Sequence, residues 1–254
     1  MQLLKYLTAA AAALLVAACG GGDTEDRLDV RDPVVRFIHA VPAGPNLSLY
    51  RNETADPPSN VAYKSVSRYY DVSNSAADWS VRLASAPSTA LSTTRLNPSQ
   101  GDRYTFVALL GANGSAVGLT AIHDPYNKGL LSDKARVRVL HADPLAPAVD
   151  VYLIQPAQDL AQATPTISNL SYSNVQPASG NDSLEVNGGT FRLVLTTAGS
   201  KAVVFNAPSV SIANNADWLL LAIPGPSGLP GDVRVLVAQG NDTQDGQTLE
   251  LVSQ

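Results

Sequence analysis

Three histidines stand in this chain of 254 residues, and two of them, His39 and His141, occupy the same place in a repeated stretch. The segment VRFIHAVPAGPNLSLY, from Val35 to Tyr50, returns without a gap as VRVLHADPLAPAVDVY, from Val137 to Tyr152. Histidine is the side chain best suited to proton transfer or metal ligation near neutral pH. The same two stretches carry Arg36 and Arg138, Tyr50 and Tyr152, and, in the second only, Asp150. These seven residues are the candidates for a ligand site or for a structural signature of the repeat. Chemistry would use His141 with Asp150, as a hydrolytic or metal-binding pair.

The spacing argues against that chemistry. Each copy offers one repeated histidine with no second one nearby, and His123 has no counterpart. A pair of carboxylates flanking a cleft, as acid hydrolysis of a glycoside requires, exists in one copy at most. The first copy has Ser48 at the Asp150 position and Val41 at the Asp143 position. No catalytic residue, metal or cofactor is assigned. Each repeated histidine is expected at the end of a strand, hydrogen-bonded to a backbone group of the following proline-containing loop. Arg138 and Asp150, on strands expected to be adjacent, are read as an ion pair or as caps of backbone groups, because buried charges persist only when paired.

Other signatures fail. There is no G-x-S-x-G elbow, phosphate-binding loop, H-E-x-x-H or cysteine cluster. NDTQDGQTLELV, from Asn241, imitates part of a calcium loop but has Val252 where a bidentate Glu belongs. It is read as a polar turn before a last strand. Trp79, Trp218 and Tyr104 lie in apolar runs and are expected in cores; of the consecutive Tyr69 and Tyr70, one is expected to face solvent.

The elements that must hold these residues are strands. Gly and Pro, 18 and 17 in number, punctuate the chain at short intervals, and no segment keeps a helical period over three turns. In VVRFIHAV, Val35, Phe37, His39 and Val41 share one face while Arg36, Ile38 and Ala40 share the other. Later stretches repeat in order: NVAYKSV at Asn60 with NLSYSNV at Asn169, WSVRL at Trp79 with GTFRL at Gly189, DRYTFVALLG at Asp102 with ADWLLLAIPG at Ala216. A repeat of this size is a tandem of domains, not a solenoid. The expected class is all-β: two tandem immunoglobulin-like, Greek-key β-sandwiches, over 33–127 and 128–254.

The chain opens on an address. MQLLKYLTAAAAALLVAAC has one early lysine and an uncharged run of about twelve residues, where a spanning helix needs about twenty. It reads as a signal peptide over 1–18. Val16-Ala17-Ala18 before Cys19 resembles a bacterial lipobox, which implies a lipid anchor on Cys19. Cys19 is the single cysteine, so no internal disulfide can form. Residues 19–32, glycine-rich and then charged, read as a flexible tether. Gly20 rather than Asp after the cysteine resembles the pattern of proteins sorted to the outer membrane of a Gram-negative cell. A net charge of −5 and only 15% charged residues give no basic surface for nucleic acid.

ARVRVLHADPLAPAVDVYL, from Ala135 to Leu153, resembles the opening of a bacterial domain of unknown function, DUF4397: an apolar strand, a His-Ala pair, a proline loop and an Asp-Val-Tyr strand. The first copy resembles it more weakly, with Ser48 in the Asp150 position. The resemblance implies exported, often lipid-anchored proteins with a sandwich-like domain, and no activity. The function expected is therefore a non-enzymatic, lipid-anchored envelope protein, a binding or adhesion-type module for a protein or glycan. A structural spacer, or metal-binding or hydrolytic work by His141 and Asp150, are the alternatives. Oligomeric state is left open.

Overall fold

A computed structural model of the chain describes residues 32–111, 116–125, 133–240 and 248–254. Cys19, the expected leader, nearly all of the tether and the polar stretch 241–247 lie outside them. All regular structure among the described residues is β. The first copy supplies β1 (Val34–His39), β2 (Leu47–Arg51), β3 (Thr54–Ala55), β4 (Tyr70–Asp71), β5 (Ala77–Leu83), β6 (Ala86–Leu96), β7 (Arg103–Leu110) and β8 (Val117–Asp124). The second supplies β9 (Ala135–His141), β10 (Val149–Ile154), β11 (Ile167–Leu170), β12 (Val175–Gln176), β13 (Leu184–Val186), β14 (Gly189–Thr197), β15 (Val203–Ile212), β16 (Asp217–Pro224), β17 (Val233–Gln239) and β18 (Thr248–Leu251).

These strands form four open sheets. In the first copy the orders are β4-β1-β7-β8 and β3-β2-β5-β6; in the second they are β12-β9-β16-β17-β18, with β13 also on β9, and β11-β10-β14-β15. The central pairings repeat residue for residue. β1 runs parallel to β7 with Val35 opposite Tyr104, and β9 runs parallel to β16 with Val137 opposite Trp218. The parallel pairing follows from the chain path, since β1 and β7 are separated by the whole of the other sheet.

The two quoted strands of each copy are not neighbours in a sheet, contrary to expectation. β1 and β2 lie in different sheets, as do β9 and β10. The loop between them is an arch rather than a hairpin turn. Pro42 and Pro45, with no N–H to give to a ladder, favour leaving the sheet there. A second correction concerns WSVRL and GTFRL. Arg51 pairs with Trp79 and Leu153 with Leu193, so the structural partner of Trp79 is Leu193 and not Gly189.

Three apolar layers hold the sheets together. Phe37 and Phe106 meet Leu49 and Trp79 between the two sheets of the first copy, with the Trp79 and Phe106 rings stacked at 4.7 Å. Val139 and Trp218 meet Val151 and Phe205 between those of the second. The third layer joins the copies: Ile38, Val107 and Leu109 pack against Leu140, Leu219 and Leu221. The order is thus sheet of β2, sheet of β1, sheet of β9, sheet of β10. β1 and β9 are consequently buried on both faces, which explains why Arg36 and Arg138 are as inaccessible as their apolar neighbours.

Candidate functional site

Each arch is built around its histidine. His39 is fully buried; its Nε2–H donates to the Pro45 carbonyl at 2.9 Å, and its Nδ1 accepts the Val41 backbone N–H at 3.2 Å. His141 is fully buried in the same way, donating to the Pro147 carbonyl at 2.9 Å and accepting from the Asp143 N–H at 3.3 Å. A carbonyl can only accept and an amide N–H can only donate, so the partners dictate the neutral Nε2–H tautomer. Burial pushes both imidazoles below their ordinary value, partly offset by the bond to the proline carbonyl. Neither ring has a nitrogen left for a substrate proton or a metal.

The backbone around each ring repeats too. The His39 amide and carbonyl bond Ser65 and Lys64; those of His141 bond Asn174 and Ser173. Tyr63 sits edge-on to His39 at 6.1 Å, and Tyr172 takes the same place at His141 at 6.1 Å. Burial pushes both phenols up to about 12, helped at Tyr63 by the charges of Glu250 and Asp143 and at Tyr172 by that of Asp143, so both stay protonated. The Tyr172 hydroxyl donates across the copies to the Leu110 carbonyl.

Asp150 and Ser48 play one part in two chemistries. Ser48 Oγ accepts the Asn60 amide at 2.9 Å; Asp150 Oδ1 accepts the equivalent Asn169 amide at 2.7 Å, and its Oδ2 takes the Gly199 amide at 2.9 Å. Both asparagines have left-handed backbones, φ 58° and 52°. Asp150 therefore caps a turn, while Arg138 lies in the other sheet and bonds the Pro177, Ala178 and Asn181 carbonyls. Arg36 donates to Thr105 Oγ1 and, across the copies, to the Gln239 carbonyl at 3.0 Å. Tyr50 lies under the Arg82 guanidinium at 4.5 Å, and Tyr152 lies under the Lys201 ammonium at 4.4 Å. His39 with Arg36, and His141 with Asp150, are thus framework residues whose polar atoms already have partners. Among the described residues no group of three His, Cys, Asp or Glu stands close enough to hold a metal.

Charged pairs flank the apolar layer between copies. Arg103 meets Asp217 at 3.4 Å, Arg136 meets Asp124 at 2.7 Å, and Lys64 meets Glu250 at 2.7 Å. Arg103 and Asp217 are equivalent positions of the repeat, one before Tyr104 and one before Trp218. Their pairing relates the copies like the halves of a twofold dimer.

The arches place an opening where this interface ends. A groove of about 500 Å³ is walled by Pro42, Tyr63 and Leu110 from the first copy and by Pro144, Leu145 and Pro224 from the second, with residues 225–228 along its side. Concave, mainly apolar sites of this size are where proteins take small ligands or partner side chains. Sequence reasoning placed attention on the arch histidines and not on this groove. The tyrosine repeated in NVAYKSV and NLSYSNV is the available signal, because it stands in the same register in both copies.

Fold and site together define an all-β repeat protein whose buried histidines hold paired arches around an apolar groove. Residues 33–152 match the family described as Domain of unknown function (DUF4397). That span holds every strand of the first copy, the one expected to resemble the family more weakly, and from the second only β9 and the first four residues of β10, so the match lies on the first copy rather than the second. No curated protein matches the chain.

Proposed function

We propose that this chain is a lipid-anchored protein of the bacterial cell envelope, held to the outer membrane through Cys19, that works as a non-catalytic binding or adhesion-type module. On this reading each copy is an immunoglobulin-like sandwich domain of the DUF4397 type, and the second copy belongs to the family as the first does. The observation that carries the reading is the groove between the two arches. Both copies build it, its walls are stiff with proline, and the histidines beneath it are locked in the backbone rather than free to react.

Orientation supports display. The tether joins β1 at Pro33, whereas the arch leaves β1 beyond His39, about 20 Å further along a six-residue strand. A lipid on Cys19 would thus be joined to the fold at the end opposite the groove, which leaves the groove clear of the point of attachment.

The test is photo-cross-linking of the full-length chain in its own envelope from a diazirine side chain introduced at Ala43 or Leu145, with Leu110→Glu as the groove variant. Cross-links from either position to a partner, lost in the variant, support the binding reading. Partners that cross-link elsewhere, or equally in the variant, favour the spacer reading and overturn this one.

A further inference from the structure

We propose that the partner seated in the groove is a second copy of this chain, docked end to end about a twofold axis, with Leu229 of each copy entering the groove of the other. The inference rests on the reading above that the groove is the binding face.

The groove and the knob that fits it share one patch. Leu229 is 64% exposed and Leu145 is 45% exposed, both at the groove end. Leu145 lines the groove and Leu229 follows its lining residue Gly228, so the two extend one apolar patch rather than standing singly. Leu229 and Pro230 project from a loop between Gly228 and Gly231, whose backbones have φ 65° and 87°. The loop is nevertheless fixed at its base. Asp232 returns its carbonyl to the Gly225 amide at 2.6 Å and its carboxylate to the Ser227 amide at 2.8 Å, and the Leu229 amide bonds Ser227 Oγ at 3.2 Å. The projecting leucine is therefore presented in advance, which lowers the entropic cost of docking.

A hole and a knob on one surface patch satisfy the requirement of an isologous interface, in which the same patch meets itself. The groove is continuous with an interface of that kind, the layer in which the two copies of the repeat bury equivalent faces against each other. Its surroundings carry both signs of charge in equal number, Lys64 with Glu250 and Arg234 with Asp232, so two like ends can approach without net repulsion.

Sedimentation velocity on the full-length chain over a range of concentrations tests this, with Leu229→Asp and Leu145→Asp as patch variants. Leu91→Asp, at an exposed leucine of β6, is the control. The expected result is a reversible dimer whose dissociation constant rises at least about tenfold in each patch variant and is unchanged in the control. A chain that is monomeric throughout, or a dimer indifferent to both patch variants, overturns the proposal. If the monomer still cross-links to an envelope partner from position 43 or 145, only self-docking fails. If those cross-links are missing as well, the groove reading fails with it.

Discussion

The two repeated histidines show how a residue type associated with catalysis becomes framework. Each ring satisfies one carbonyl and one amide of an arch that the sheets cannot satisfy, and a buried polar group without a partner costs about 1–3 kcal/mol. His39→Leu or His141→Leu is therefore expected to lower unfolding free energy by about 2 kcal/mol each, measured by urea titration. A pH dependence follows from the same burial. Both folded-state values lie below the ordinary 6.5, so below that pH the unfolded chain takes up protons that the folded chain refuses. Their contribution is complete above 6.5 and declines as pH falls under it. Asp143 has the opposite sign: burial raises its carboxyl above 3.8, and its contribution is lost as pH rises through the folded value. The urea midpoint should fall on acidification below neutrality, and the double variant His39→Gln, His141→Gln should show a flatter profile; parallel profiles would exclude the histidines as the cause. The histidine partners were legible in sequence because they lie within six residues of the ring. The partners of Asp150 were not, since Asn169 and Gly199 reach it only through the register of other strands.

At the scale of elements, alternation was readable and adjacency was not. Val35, Phe37 and Val41 do face one core while Ile38 and Ala40 face another apolar layer. Periodicity reports which residues share a face and says nothing about which strand lies beside it, so the sequence does not distinguish the arch between β1 and β2 from a paired connection. The four-residue displacement between WSVRL and GTFRL has the same origin, because Arg82 and Arg192 look equivalent in letters while the ladders align Arg82 with Thr196. The second apolar face of β1 and β9 is the more consequential element. Leu221 is fully buried in the layer between copies, and Leu221→Asp would place an unpaired charge there. We expect that substitution to lower the stability of both copies together, by about 3 kcal/mol or more. Calorimetry should show one transition in the parent chain; two transitions, with only the second copy shifted by the variant, would contradict joint folding.

For the whole molecule, duplication accounts for more than a pair of similar folds. Two copies packed through equivalent faces, with Arg103 against its counterpart Asp217, create a groove that neither copy has alone. The sequence carried the repeat in plain view, but a groove between repeats depends on how they pack, and no local pattern encodes that. The copies differ at this end in Val41 against Asp143, Ala43 against Leu145, and the glycine-proline loop 225–231 after β16. The arch histidines and the tyrosines beside them keep their residue types, His39 with His141 and Tyr63 with Tyr172, while these rim positions differ. Hydrogen exchange of the full-length chain, compared between dilute and concentrated solution, tests this most directly. The account predicts slowed exchange at high concentration at Ala43, Gly44, Leu145, Ala146 and residues 227–229, with the hairpin turn at 84–85 unchanged. Equal exchange at the groove end under both conditions, or protection confined to another surface, would contradict it.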